Sequence, residues 1–304
     1  MSYVSAQELC RTYGQVAALD RFTLDVHQGE IFALVGPDGS GKTTLIRILC
    51  GLLSPDSGTA MIAEHDVTRQ FDHIKPLLGY MPQQFSLYPD LTVEENLVFY
   101  AGIYGVTGDA YRQKRKLLYE FSNLGPFTDR RAADLSGGMK QKLALSCALV
   151  HDPRLLILDE PTTGVDPLSR RQFWEILLTL RSQGVTVLVS TPYMDEVARA
   201  DRACFVLGGR KLTQGTPQDL SAEFTGRIFY LDREPTTRLV EQVNHIEGLT
   251  GRRFGAGLHL YIGPGQAIGN YVDALGRIGV EVAELTAVDP SLEDRFIQLM
   301  EGAS

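Results

Sequence analysis

The sequence has no long hydrophobic run. Its longest apolar stretches, such as Leu155-Leu156-Ile157-Leu158, have the length of a strand, whereas a membrane-spanning helix needs about 20 apolar residues. The chain is therefore not expected to cross a membrane, and any service to one would run through a partner. Paired cysteines are also missing. Cys10, Cys50, Cys147 and Cys204 lie far apart and form no C-x-x-C motif, so four reduced and mostly buried thiols in a cytosolic setting are expected. The start, Met1-Ser2-Tyr3-Val4-Ser5, lacks a basic region followed by an apolar stretch, and no signal peptide is expected. There is no excess of positive charge. The formal net charge of -8 argues against non-specific nucleic-acid binding, which needs a field that replaces counterions. No internal repeat and no low-complexity tract is present.

What is there is the composition of a globular protein with a real core: 44% hydrophobic and 22% charged residues over a length of 304, enough for one large domain and a small one, or for two of ordinary size. Residues 19–26 alternate in apolar character and read as one of several short strands. Gly29-Glu30 makes a turn, and Ile31-Phe32-Ala33-Leu34-Val35 is a continuous apolar run suited to a strand buried on both faces. A glycine-rich loop follows, then a helix over 44–49. Residues 91–150 read as helices, with Thr92 as an N-cap and Glu95 closing a capping box. Strands return at 155–158 and 185–189, with a helix over 170–181 between them. Alternating strands and helices imply an α/β fold with a mostly parallel sheet. A boundary is expected between 216–217 and 225–226. Beyond it the pattern predicts a strand over 228–232, a helix over 235–246, a hairpin of 249–252 with 258–262, a helix over 266–275, a strand over 281–287 and a last helix over 292–300. That order, β-α-β-β-α-β, is the ferredoxin-like arrangement of a small α+β domain.

Three motifs carry chemistry. Gly36-Pro37-Asp38-Gly39-Ser40-Gly41-Lys42-Thr43 fits G-x-x-x-x-G-K-[ST] between a strand and a helix, with Thr44 next inside that helix. Glycines let the backbone curl so that its N–H groups point at phosphates, and the helix adds its positive end. Lys42 is placed to reach the β- and γ-phosphates, and the Thr43 hydroxyl to bind Mg²⁺. Next, the strand over 155–158 ends in Asp159-Glu160. Carboxylates at the C-terminal edge of a parallel sheet sit beside the ligand crevice. Asp159 is expected to hold Mg²⁺ and Glu160 to act as general base toward the attacking water. Third, Leu135-Ser136-Gly137-Gly138-Met139-Lys140-Gln141 opens a helix with a serine and two glycines, another anion-binding end, though as a bare string it also reads as a simple helix cap.

The third string resembles the signature sequence of ABC ATPases, and the family's other marks occur in order. Gln83, in Tyr80-Met81-Pro82-Gln83, matches the Q-loop. Asp166, in Gly164-Val165-Asp166-Pro167, matches the D-loop. Tyr13, in Arg11-Thr12-Tyr13-Gly14, matches the aromatic that stacks on adenine, although a tyrosine there also reads as edge-strand packing. The resemblance covers about residues 3–220. It implies a P-loop NTPase of the ABC type, with antiparallel β and helical subdomains, over 1–220. Residues 91–150 would form the helical part, and the α+β domain over 226–304 would be an accessory. It further implies ATP and Mg²⁺ as ligands, with Gln83 joining Thr43 and Asp159 around the metal. Two ATP-binding domains would close face to face, so that Ser136, Gly137, Gly138 and Gln141 serve the nucleotide held by the partner.

At one position the chain departs from the family. Where ABC ATPases carry a histidine, in a context like S-T-H-x-M-D-E, this sequence reads Ser190-Thr191-Pro192-Tyr193-Met194-Asp195-Glu196. Proline has neither a side-chain donor nor a backbone N–H. Either hydrolysis at this site is slow, and the intact signature supports a competent site on a different partner domain, or Glu160 suffices. His65, His73 and His151 lie outside the strand end that would face the nucleotide. The segments around the loop, Gln83 and Pro192 resemble the drug-efflux branch of ABC-2-type exporters, most closely the first half of tandem ATP-binding subunits, which also tend to lose this histidine. The stretch Asp289-Pro290-Ser291-Leu292-Glu293-Asp294 resembles the common ending of exporter ATPases, as expected of a complete C-terminus. The resemblance implies transmembrane permease subunits as partners and a peripheral location on the cytoplasmic face of the membrane. The rival is a soluble ABC ATPase acting on ribosomes or nucleic acid. Such proteins usually carry two linked ATP-binding domains or a long coiled coil, and this chain shows neither.

Overall fold

A computed structural model describes residues 2–302. The chain divides into two compact units between Pro217 and Gln218. In the first, a six-stranded sheet contains β3 (Ile31–Val35), β6 (Leu78–Met81), β7 (Leu155–Asp159), β8 (Thr186–Thr191), β9 (Arg202–Leu207) and β10 (Arg210–Gly215). The order is β10-β9-β3-β8-β7-β6. All pairs are parallel except β9 with β10. Every residue of β3, β7 and β8 is buried, which is why these strands read as unbroken apolar runs rather than alternating ones. Parallel pairing brings the last residues of β3, β6, β7 and β8 to a single edge, where ligand crevices form in α/β sheets.

A second sheet contains β1 (Ser2–Tyr13), β2 (Val16–His27), β4 (Ser57–Ile62) and β5 (His65–Asp66), in the order β2-β1-β4-β5, all antiparallel. The expectation of short strands fails here. β1 and β2 are twelve residues each, kept in pairing across several bulges that absorb the twist. Leu9, Phe22 and Leu24 of this sheet share a core with Leu45 and Ile48 of α1 (Lys42–Leu49) and with Phe32 and Leu34 of β3. A single turn, α2 (Phe71–Ile74), leads toward β6.

The helical region consists of α3 (Val93–Ile103), α4 (Gly108–Ser122) and α5 (Gly137–Leu149). The Thr92 hydroxyl accepts the Glu95 N–H at 3.1 Å, and the Glu95 carboxylate accepts the Thr92 N–H at 2.8 Å, the reciprocal cap read from the sequence. One carboxylate ties α3 to α4. Glu94 accepts from Tyr111 at 3.1 Å, from Arg115 at 3.0 Å and from the Tyr119 hydroxyl. Those three residues are spaced by four along α4 and so share one face. Burial, reinforced by Glu94, pushes both phenols above their ordinary pKa. The unit is completed by α6 (Pro167–Ser182) and the short α7 (Met194–Val197); α8 (Pro217–Ala222) starts at the junction and lies, after its first residue, in the second unit. All four cysteines are free thiols, three of them buried, and burial lifts the Cys204 thiol to about 12.

The second unit is a four-stranded antiparallel sheet of β11 (Arg227–Leu231), β12 (Leu249–Phe254), β13 (Gly257–Ile262) and β14 (Leu285–Val288), in the order β12-β13-β11-β14. With α9 (Thr237–Asn244) between β11 and β12 and α10 (Val272–Arg277) between β13 and β14, this is the split β-α-β arrangement. Leu239, Val243, Leu258, Leu260 and Leu275 form its core. Two elements differ from expectation. The predicted helix over 266–275 begins as a 3₁₀ turn at Ile268–Tyr271 and is helical only from Val272. Gly265 has φ +77° and Gly269 follows, and glycine disfavours a helix interior by about 1 kcal/mol. The strand predicted over 281–287 begins at Leu285, because reciprocal side-chain bonds between Glu281 and Glu284 close a turn over Val282–Glu284. A final helix, α11 (Leu292–Gly302), contributes Asp294, whose buried carboxylate accepts from Tyr261 at 2.5 Å and from Ser291 Oγ at 2.6 Å. Among the described residues no helix is long and apolar enough to cross a membrane.

Thr92→Ala removes one half of the reciprocal cap. It is expected to cost about 1 kcal/mol, seen as a fall of about 2–4 °C in melting temperature for a protein of this size, measurable by calorimetry.

Candidate active site

At the end of β3 the chain turns through residues 36–41 into α1. Gly41 caps the helix at φ +107°, and Gly39 lies at φ +77°, a region that a side chain strains. Space imposes a second demand. A Cβ on Gly36 would overlap the Val206 carbonyl oxygen, and one on Gly41 the Ala18 carbonyl oxygen. The glycines are thus fixed both by conformation and by close approach. No acidic side chain occupies the first turn of α1, so its N-terminal end is left to an anion. Ser40 Oγ is buried with no partner among the described residues.

Lys42 is buried. Its ammonium donates to the carbonyls of Gly36 at 2.7 Å and Pro37 at 3.1 Å and stands 3.5 Å from Glu160 Oε1. A buried cation held by carbonyls and a carboxylate is satisfied, but it is also curled within its own loop, where phosphate oxygens would compete for its protons.

The two acids that end β7 are set differently. Asp159 is fully buried. Its Oδ1 accepts from Ser190 Oγ at 2.7 Å, while Oδ2 is buried and has no partner among the described residues. An unmet buried acceptor costs about 1–3 kcal/mol, so Oδ2 marks a place where a cation or a water-borne donor belongs. Glu160 has φ +48°, a left-handed conformation that costs a residue with a side chain about 1–2 kcal/mol. Its N–H donates to Ser190 Oγ at 2.9 Å and to the Ser190 carbonyl at 3.2 Å. Glu160 Oε2 accepts from Gln83 Nε2 at 2.9 Å and from Thr163 Oγ1 at 3.4 Å.

Lys42 and Glu160 share one cleft of about 310 Å³, lined by Tyr13, Ala18, residues 38–44, Gln83 and Glu160; Asp159 precedes Glu160 but does not line it. Gly36 and Pro37 hold Lys42 from beneath. Tyr13 ends β1 with its ring exposed, and the Arg11 guanidinium stands 5.3 Å from the ring centroid. Asp56 fixes this segment, accepting from Arg11 at 2.7 Å, from the Thr12 N–H at 2.7 Å and from the Thr12 hydroxyl at 2.8 Å.

The signature residues do not line that cleft. Ser136 and Gly137 are exposed at the start of α5, with Ser136 Oγ accepting the Met139 N–H at 3.3 Å; Gln141 follows one turn on. Gly138 is packed against the first turn of α6, where a Cβ would stand 2.6 Å from Ser169 Oγ. Asp166 caps α6 by accepting the Ser169 N–H at 2.9 Å, a bond that lowers its pKa.

Pro192 follows β8 and is exposed. The turn that carries it is held by a buried carboxylate. Glu196 accepts from Thr191 Oγ1 at 2.5 Å, Thr162 Oγ1 at 2.7 Å and Arg170 Nε at 3.0 Å. Arg170 also pairs with Asp195 at 3.0 Å and stacks 3.7 Å from the Tyr193 ring centroid. The histidines are elsewhere. His65 stacks on His73, and His151 stacks on Tyr104 with its Nε2 3.1 Å from the Leu78 carbonyl. Ser190, Thr162, Thr191, Arg170 and Glu196 form a hydrogen-bonded polar network beside Asp159 and Glu160 that motif reading missed. A signal was available for Ser190. It follows the apolar run Val187-Leu188-Val189 near the end of β8, as Asp159 follows the apolar run of β7, and it pairs directly with Asp159 in the β7–β8 register.

Lys42→Met removes the buried cation without opening a cavity. Loss of a charged hydrogen bond costs about 1.5–3 kcal/mol, or roughly ten- to hundredfold in nucleotide dissociation constant. Equilibrium binding of a fluorescent ATP analogue checks this.

Residues 19–163 match the model of the ABC transporter family. The chain is 42% identical over 291 residues to the probable multidrug ABC transporter ATP-binding protein YbhF of Escherichia coli (strain K12), covering 95% of this chain and 49% of that protein. It therefore spans about half the length of that relative. Against the Nod factor export ATP-binding protein I of Rhizobium etli it is 37% identical over 227 residues, 74% of this chain and 72% of that one. Among solved structures, the post-hydrolysis dimer of the ATP-binding cassette MJ0796 with ADP and Pi superposes with a TM-score of 0.64 at 26% identity, covering 70% of this chain and 98% of that one. A phosphate loop and an acid pair in one unit, joined to these likenesses, establish that the chain belongs to the ABC transporter family.

Proposed function

We propose that the chain powers export of a drug-like or other small substrate through a separate transmembrane permease, and works as one half of a pair of ATP-binding domains. The observation that carries this reading is the separation of its two nucleotide-directed surfaces. Tyr13, the loop, Gln83 and Glu160 share one cleft, whereas Ser136, Gly137, Gly138 and Gln141 open a helix outside it. A free, uncapped-by-charge helix start of that kind serves an anion bound to another subunit. The names of the relatives, a probable multidrug ABC transporter ATP-binding protein and a Nod factor export ATP-binding protein, support export as the direction. Within this reading residues 1–220 form the ATP-binding domain and 226–304 the accessory domain. The chain sits peripherally on the cytoplasmic face of the membrane and takes no nucleic acid. The exposed Tyr88, Val98, Phe99 and Ile103, around the start of the helical region, form an apolar surface fitted to a permease segment.

Mg²⁺ fits the donor set. Asp159 Oδ2 is a buried acceptor without a donor, and Thr43 and Gln83 line the adjoining cleft. When bound there, the ion would neutralise phosphate charge. The chain's own residues do the rest. Lys42 leaves the Gly36 and Pro37 carbonyls for phosphate oxygens, and Tyr13 stacks on the base. Glu160, released from Gln83, accepts a proton from the attacking water. Pro192 offers no donor to the γ-phosphate, so turnover in this cleft is slow, and the intact signature supports a competent site on a different partner domain.

Steady-state ATP hydrolysis tests the asymmetry. The wild type is expected near the Glu160→Gln background, with Pro192→His rising roughly tenfold or more above it, as one well-placed donor to a developing charge would supply. Wild-type turnover far above that background, unchanged in Pro192→His, would overturn it.

A further inference from the structure

Asp159 and Glu160 are neighbours in sequence that must do different things, and one hydroxyl stands between them. Ser190 is fully buried and pairs with Asp159 across the parallel β7–β8 ladder. Its Oγ lies 2.7 Å from Asp159 Oδ1 and 2.9 Å from the Glu160 nitrogen. The roles at these contacts are forced. An amide nitrogen only donates, so Ser190 Oγ accepts from Glu160. An ionised carboxylate only accepts, so the single Ser190 proton goes to Asp159. The hydroxyl cannot turn without breaking one of the two bonds.

Two features follow from this bridge. With Oδ1 engaged, Oδ2 is the Asp159 oxygen left without a donor. The same bridge, with the Ser190 carbonyl 3.2 Å away, holds the Glu160 N–H while that residue stands at φ +48°. That left-handed turn is what brings its carboxylate to Lys42 and Gln83. We propose that Ser190 is a positioning residue for ATP hydrolysis: its hydroxyl selects which oxygen of Asp159 is presented to the metal and aims the carboxylate of Glu160 into the cleft. The proposal rests on the reading of Asp159 as a metal-binding residue.

The test is nucleotide binding rather than turnover. The 304-residue chain carrying Glu160→Gln, which prevents consumption of the ligand, is titrated with a fluorescent ATP analogue in EDTA and again in Mg²⁺. In this background Ser190→Ala is expected to bind within about twofold of its parent in EDTA, and to lose roughly tenfold of the tightening that Mg²⁺ brings, the scale of one hydrogen bond to a charged group. Ser190→Thr, which keeps the hydroxyl, restores it. If the alanine variant does not fold, Ser190→Cys carries the same expectation, since a thiol keeps the shape but donates weakly. Equal losses in EDTA and Mg²⁺, tracking a lowered melting temperature, would show a purely structural serine and overturn the proposal. So would a full Mg²⁺ effect in Ser190→Ala. No Mg²⁺ effect in the parent itself would instead remove the metal reading of Asp159, and the proposal with it, while binding in EDTA would still report the nucleotide site.

Discussion

Charge held out of water governs the catalytic edge of this protein. Lys42, Asp159, Glu160 and Glu196 are all buried where the parallel strands end, and buried charge is tolerated only when paired or hydrogen-bonded. Most of the local architecture answers that demand. The loop carbonyls and Glu160 hold Lys42. Thr162, Thr191 and Arg170 satisfy Glu196. Ser190 serves Asp159 and the Glu160 backbone together. Among the described residues Asp159 Oδ2 and Ser40 Oγ are left without partners, and these are the atoms that the proposed nucleotide and ion would meet. Before any ligand arrives the charges at this edge are held on one another and on the loop, and a phosphate would have to compete for Lys42.

Much of this was legible in the sequence because the relevant signals are local. The phosphate loop is eight consecutive residues whose glycines answer to φ and to close approach. The acid pair follows an apolar strand directly, and the reciprocal cap of α3 spans four residues. The buried polar network was not legible. Arg170 reaches Glu196 across 26 residues and Thr162 reaches it across 34; no periodicity links them, and only the parallel crossover brings β7, α6 and β8 together. Helix ends were also hidden where glycines and 3₁₀ turns compete with the regular pattern, as before Val272 and before Leu285.

The two units solve burial in different ways. The first uses continuous apolar strands and gathers Lys42, Asp159, Glu160 and Glu196 at one edge, with Glu30 buried before the start of β3. The second is a small alternating sheet, with Leu258, Leu260 and Ile262 of β13 in its core and His259 and Tyr261 on the other face, met by Asp294. Its polar centre fastens a helix to a sheet; the polar centre of the first unit lies where parallel strands end.

The first residues of α5, Ser136 and Gly137, belong to the surface proposed to meet another subunit's nucleotide. Its last, Leu149, lies only a short turn before β7 and the acids at that strand's far end. Thirteen residues of α-helix form a rod about 20 Å long. In the proposed pair, one helix would thus run from the surface that meets a partner's nucleotide to the turn before the strand that carries this chain's own acids.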